Sequence, residues 1–345
     1  MPRNYSTIMS SSTLKNLEIF GVVTFYTVVA ITSIIANKYF LKSVSIPLTL
    51  LELQMIVSSV VLVGGYSAVK FFNQNKDEAK NMTVMESVKS LWPMVVCNVF
   101  GLAFNIICLS KIDAIMHQVT RGITLPLTAL LGPLLGNDSG SWRVFLVCCV
   151  IFSGFVIAVS GEISAEKISF GGIAAGFLSS LINAYNAQFV KKRFSTKGFS
   201  AIDLVFYNNI YSTLLLAPIA LIYEGSQLSA VNNWAHVFYA SLITGVLGVM
   251  INYAGFLQIK VTSAVTHCVS SAARGVFQVF ASHLILRENL SVTRAVGIGL
   301  SLVSSSIYPI VKSYDNSLAT KKKYNEVELQ GIKCNKIDVS STNQK

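Results

Sequence analysis

Two arginines carry the chemistry in this chain: Arg121 in "MHQVTRGI" and Arg274 in "VTHCVSSAARGVF", each inside a run that is otherwise apolar. An unpaired cation well inside a bilayer costs at least ~2.5 kcal/mol on insertion scales, so each must face a wet cavity, a carboxylate or a set of carbonyls. Glu52, in the second apolar run, is the only acid well inside a run. One carboxylate cannot balance two guanidiniums. Either Glu52 pairs with Arg121 while backbone carbonyls hold Arg274, or an anionic ligand supplies the missing charge, and the fork of guanidinium donors suits a phosphate or diphosphate.

Other polar residues could line the same space. His117 precedes Arg121 by four residues and His267 precedes Arg274 by seven, both spacings that share a helix face. Ser270 and Ser271 are small enough for close approach. In "DLVFYNNIYS", Asn208 and Asn209 offer amide groups able to read a base edge, next to Tyr207 as a stacking ring. Asn37 and Lys38 stand near the end of the first run, Tyr185 and Asn186 in the sixth, and Lys260 at the end of the eighth. Interhelical hydrogen bonding is the alternative for the histidines and asparagines, and Lys38 also reads as an interface anchor. No Asp-Asp or His-Glu pair stands at helical spacing inside the runs, so an enzyme reading lacks its acids and nucleophiles. No metal or cofactor motif is present.

The elements that must position these residues follow from composition. The 345 residues are 52% hydrophobic and 12% charged, about half the charge of an ordinary soluble domain. Apolar runs of spanning length occupy 17–37, 47–69, 91–110, 114–135, 142–161, 170–190, 203–223, 235–257, 262–286 and 292–311. Their continuity excludes the alternating strands of a membrane barrel, leaving an all-α membrane protein of ten transmembrane helices. With the N-terminus cytosolic, nineteen Lys and Arg fall on the cytosolic side and five opposite, which places both termini in the cytosol. The net charge of +11 is therefore mainly a topology signal and no sign of nucleic acid. Residues 1–16 are a polar cytosolic segment with no cleavage pattern, and 313–345 read as a disordered basic tail. Five of the six cysteines lie within spans, without a disulfide framework.

A faint repeat links the two arginines. "ICLSKIDAIMHQVTRGI" and "FLQIKVTSAVTHCVSSAARGV" both run from an apolar helix end through a lysine, a tight link and a histidine to Arg-Gly. Residues 17–161 and 170–312 then form two five-helix repeats. An odd number of spans per repeat inverts one relative to the other, the layout of many secondary transporters.

Several motifs in order, "NK", "FNIICL", "VTRGI", "NAYNAQFVKK", "VFYNN", "GFLQIKVTSAVTHCVSSAARG" and "YPIVKS", resemble nucleotide-sugar transporters of the drug/metabolite transporter superfamily. The branch is the one shared by triose-phosphate translocators and GDP-fucose transporters. The resemblance implies an antiporter of the Golgi or endoplasmic reticulum membrane that takes in GDP-fucose or a close GDP-sugar against GMP. It implies guanine at Asn208 and Asn209, phosphates at Arg121 and Arg274, and the sugar near Asn37, His117, His267 and Ser271. The partners are thus a GDP-sugar, GMP and lipid, and a homodimer is compatible. "SSAAR" stands where GDP-mannose transporters carry a glycine-alanine-leucine-asparagine-lysine motif. Cys268 and Arg274 stand where GDP-fucose transporters show asparagine and lysine, which leaves the sugar open. The alternative within transport is exchange of small phosphorylated metabolites against inorganic phosphate.

Overall fold

The computed structural model describes residues 5–72, 84–135, 141–163, 169–197, 201–261, 264–288 and 290–342. Among the described residues the secondary structure is helical, with no strand. The first half contains α1 (Tyr5–Ser43), α2 (Pro47–Phe72), α3 (Val84–Lys111), α4 (Ala114–Gly122), α5 (Thr124–Leu134) and α6 (Trp142–Ile163). The second contains α7 (Phe170–Lys197), α8 (Ala201–Leu228), α9 (Trp234–Val261), α10 (Ala264–Leu286) and α11 (Val292–Thr342). Among the described residues six helices hold segments long and apolar enough to cross a membrane: Glu18–Ser43, Pro47–Gly65, Leu91–Lys111, Trp142–Gly161, Trp234–Gly255 and Val292–Asp315. Large apolar side chains such as Phe20, Val60, Leu214, Ile222, Phe277 and Leu284 face outward. An exterior of this kind suits lipid and not water, and the chain is a multi-pass membrane protein.

The run 114–135 is not one helix. It divides at Ile123 into α4 and α5, whose amide reaches back to Thr120 O at 3.3 Å. Pro126 supplies the reason: it lacks an N–H and its ring crowds the carbonyl of Gly122, so the helical ladder cannot pass through that point. Arg121 thereby ends up in the last turn of α4, where the helix dipole favours a cation. A second difference lies at the C-terminus. Where the sequence suggests a disordered tail from Ser313, the backbone of α11 continues helical to Thr342; beyond Pro309 the segment has several helix-favouring lysines, among them Lys321, Lys322 and Lys323, and neither Gly nor Pro before Gly331.

Helix partners recur between the halves. α1 packs on α9 as α7 packs on α3; α2 packs on α9 as α8 packs on α3; α1 meets α10 as α7 meets α4 and α5; and α11 lies on α10 as α6 lies on α5. Three further pairings put equivalent helices of the two halves against each other: α2 with α8, α4 with α10, and α6 with α11. The last is the tightest. A Cβ added at Gly297 of α11 would lie 2.5 Å from Ala158 N and 2.6 Å from Gly154 O on α6, so the two backbones touch as small residues allow in membrane bundles.

Gly297→Val should separate α6 from α11 and lower thermal stability in detergent by about 1–3 kcal/mol, the usual cost of overpacking. Gly299→Ala, where an added Cβ meets nothing within 4 Å, should leave the melting temperature unchanged or raise it.

Candidate functional site

The Arg-Gly repeat brings α4 against α10. A Cβ on Gly275 would lie 2.6 Å from Gln118 Nε2, so the Gln118 side chain of α4 lies directly against the α10 backbone beside Arg274. Arg121 and Arg274 come within electrostatic range of each other, and Arg121 is also within range of Tyr26. His117, on α4, is within range of Arg121, Lys38 and Arg274. Three cationic side chains proposed from sequence, Arg121, Arg274 and Lys38, thus lie within electrostatic range of His117, drawn from α1, α4 and α10.

The two arginines sit differently. Arg274 is 5% exposed, its guanidinium carbon lies 5.4 Å from the centre of the Tyr26 ring, and its Nε and Nη1 have no hydrogen-bond partner among the described residues. The ring face offers partial compensation for the charge, and the Tyr26 hydroxyl lies 3.4 Å from Ser271 Oγ. Arg121 is solvent-exposed, although residues Ala114 to Thr120 before it and Ile123 after it are all buried. Its side chain is thus open to solvent between buried neighbours on both sides. Among the described residues no carboxylate pairs with either arginine, and Glu52 Oε2 itself meets no donor. The Glu52–Arg121 pair that the sequence leaves open is therefore not formed.

His117 is 2% exposed and donates Nε2–H to Asn105 Oδ1 at 2.9 Å, while its Nδ1 meets no partner. Lys38 is 6% exposed and spends its ammonium on α3, donating to Leu109 O at 2.8 Å and to Ile112 O. Asn37 is similarly engaged: its Nδ2 donates to Ser33 O and its Oδ1 accepts from Gln54 Nε2, both at 2.9 Å. Lys38 and Asn37 thus hold α1 against α3 and α2, and neither is free for a ligand in this arrangement.

The asparagine pair lies on another wall, since α8 packs on α2 and α3 while α10 packs on α1, α4, α9 and α11. Asn209 donates from Nδ2 to Ser59 Oγ at 2.8 Å on α2. Asn208 is half-buried and its Oδ1 has no partner among the described residues, as is also true of Asn186 Oδ1. Tyr207 stacks on Tyr211 with ring centres 6.0 Å apart. Tyr185 is 43% exposed, and Ser270 is half-buried. The side chains of Lys260 and His267 lie outside the described residues.

One end of α4 is held by the other half of the chain. Glu288, in the link between α10 and α11, accepts from Ala114 N at 2.8 Å and Ile115 N at 2.9 Å, and Asp113 lies 3.5 Å from Arg294. Burial pushes the Glu288 carboxyl above its ordinary range, against the pull of the two amides. Glu224 does the same for α2, accepting from Leu48 N at 2.8 Å and Thr49 N at 2.7 Å. Both carboxylates satisfy amides that a helix start leaves unmet. Neither Glu288 nor Tyr26 and Asn105 stand out from sequence spacing: each meets its partner through space, and only Asn105 lies within a quoted motif, "FNIICL".

A profile of the Triose-phosphate Transporter family matches residues 17–309, the whole helical region that carries the cationic centre. The chain belongs to this family. Similar proteins include GDP-fucose transporter 1 of Mus musculus, 29% identical with 88% of this chain and 85% of that protein covered. GDP-fucose transporter 1 of Nematostella vectensis is 30% identical, with 78% and 81% covered. The Drosophila melanogaster protein named "GDP-fucose transporter, Golgi" is 28% identical, with 87% and 92% covered. A solved crystal structure superposes with a TM-score of 0.53 at 14% identity, covering 87% of this chain and 97% of that one, and shows that the fold is shared. The Triose-phosphate Transporter family is one of transporters, in keeping with a charged centre enclosed by helices.

Replacing Glu288 by Ala leaves the amides of Ala114 and Ile115 buried without an acceptor, at about 1–3 kcal/mol for each such group. A clear fall in melting temperature is expected, larger than for Glu288→Gln, which keeps one acceptor oxygen.

Proposed function

We propose that this protein exchanges a GDP-sugar, GDP-fucose or a close relative, for GMP across the Golgi or endoplasmic reticulum membrane, and that it catalyses no covalent reaction. The observation that carries the reading is the pairing of Arg121 and Arg274: two intramembrane cations within range of each other, from opposite halves, with no carboxylate paired to either among the described residues. A diphosphate or a phosphate monoester completes that charge. It accepts from both guanidiniums at once, which no single protein carboxylate here is placed to do.

The relatives named GDP-fucose transporters support guanine as the base. Asn208 suits that role, having an amide oxygen without a partner to accept from a donor on the base, and Tyr207 lies beside it as an aromatic face. Asn209, bound to Ser59, then fixes the shelf from which Asn208 reaches. An exchanger of small phosphorylated metabolites would need the arginines but no such shelf.

Ten crossings fit if α4 and α5 together make one, in two inverted five-helix repeats, 17–161 and 170–312. The reciprocal helix pairings support this arrangement. Alternating exposure would then be a rocking of the halves about the α4–α10 crossing. The contacts of Glu288 and Glu224 close the end at which α2 and α4 begin, which the charge distribution assigns to the lumen, with both termini cytosolic.

The direct test is purified protein in liposomes loaded with GMP and offered labelled nucleotide sugars: uptake of a GDP-sugar, absent with UDP-sugars, is expected. Equal competition by UDP-sugars contradicts the base assignment. Arg274→Gln should weaken GMP-induced thermal stabilisation by at least about ten-fold in concentration, since a charge-assisted bond contributes about 1.5–3 kcal/mol; Arg274→Lys should be milder. In sealed vesicles, a tag placed after Lys345 should be open to added protease.

A further inference from the structure

Glu52 is an acid that the arginines leave unused. It is 8% exposed, its Oε2 is shut off from solvent, and among the described residues that oxygen meets no hydrogen-bond donor and the carboxylate joins no ion pair. A buried carboxylate without donors is expensive, and one inside a membrane span more so. Among the described residues the polar contacts of α2 run through Leu48, Thr49, Gln54, Met55, Ser58 and Ser59, and none through Glu52.

Its position is fixed from both sides. Leu48, Glu52, Met55 and Ser59 fall on one face of α2 at 100° per residue. Leu48 N is bound by Glu224 near the end of α8, while Asn209 of α8 donates to Ser59 Oγ and lies 3.5 Å from Met55 O. Glu52 therefore stands on the α8 side of α2, between these two attachments. Seven residues separate it from Ser59, so it lies about 10 Å along the helix from the asparagine shelf.

We infer that Glu52 recognises the sugar, its carboxylate accepting hydrogen bonds from hexose hydroxyls; the inference rests on the GDP-sugar reading above. The ligand has three chemically distinct parts. The phosphates are excluded, because a carboxylate repels them and the cations that attract them act elsewhere. The base is assigned to Asn208, one residue from the amide that binds Ser59, and so stands about 10 Å away along α2. The hexose is the remaining part, uncharged and rich in donors, and two carboxylate oxygens suit adjacent hydroxyls. Glutamine there would turn half of the acceptor into a donor.

The test compares ligands on the purified full chain, with thermal stabilisation as the readout. Glu52→Gln and Glu52→Leu should respond to GMP at the same concentrations as the parent, which also demonstrates that they fold. GDP-fucose should require about ten-fold more of either variant's ligand than of the parent's, the loss expected for hydrogen bonds to a charged group. An unchanged response to GDP-fucose overturns the assignment. So does a parallel weakening of GMP that spares inosine monophosphate, which lacks the 2-amino group, since the carboxylate would then read the base. If the parent itself answers to inorganic phosphate but to neither GMP nor GDP-fucose, the exchanger reading fails, and the sugar assignment with it.

Discussion

The architecture turns on positive charge held inside a membrane without its counter-charge. Arg121 and Arg274 approach from opposite halves, at the crossing of α4 and α10, and no acidic side chain among the described residues pairs with either. Surrounding features serve to make that tolerable. Tyr26 lays its ring beside Arg274, the break at Ile123 puts Arg121 on the negative end of a helix dipole, and His117 is kept beside them by a bond to Asn105. Such measures reduce the cost of two like charges without neutralising them. The remaining deficit is a binding energy in waiting for an anion, and it exists only while α4 and α10 stay crossed.

That crossing depends on contacts at a distance from it. The backbone approach of Gly154 and Gly297 joins α6 to α11, and Gly275 admits Gln118. Glu288 and Glu224 each reach from the second half to the start of a helix in the first. These polar and glycine contacts add to an apolar core that both halves share, in which Leu216, Ala220, Val237 and Ala240 of the second half join Leu50, Leu51, Val95 and Val99 of the first.

Much of this was legible in the sequence, and for a definite reason. Spans of apolar residues and the depth of an arginine within them are one-dimensional properties, so the helical membrane fold and the place of Arg121 and Arg274 inside its helices follow from counting along the chain. The break between α4 and α5 also had its signal in Pro126, overridden by the length of the apolar run around it. What sequence spacing could not give was pairing through space. Lys38 reads equally as a ligand or an anchor until its ammonium is seen on the carbonyls of Leu109 and Ile112. Asn208 and Asn209 look equivalent until one is bound to Ser59 and the other left with an unmet oxygen. Tyr26 lies far along the chain from Arg274, with nothing in its local context to mark it.

The central claim is that one phosphate-bearing ligand is shared by both arginines, and a double-mutant cycle on GDP binding tests it most directly. Calorimetric titration of the parent, Arg121→Gln, Arg274→Gln and the double variant separates joint action from independent action. If both guanidiniums hold the same diphosphate, each single change weakens GDP, and the double change costs less than the two losses added, with a coupling of about 0.5–3 kcal/mol. Strictly additive losses, or GDP binding that survives the double change, would contradict the account.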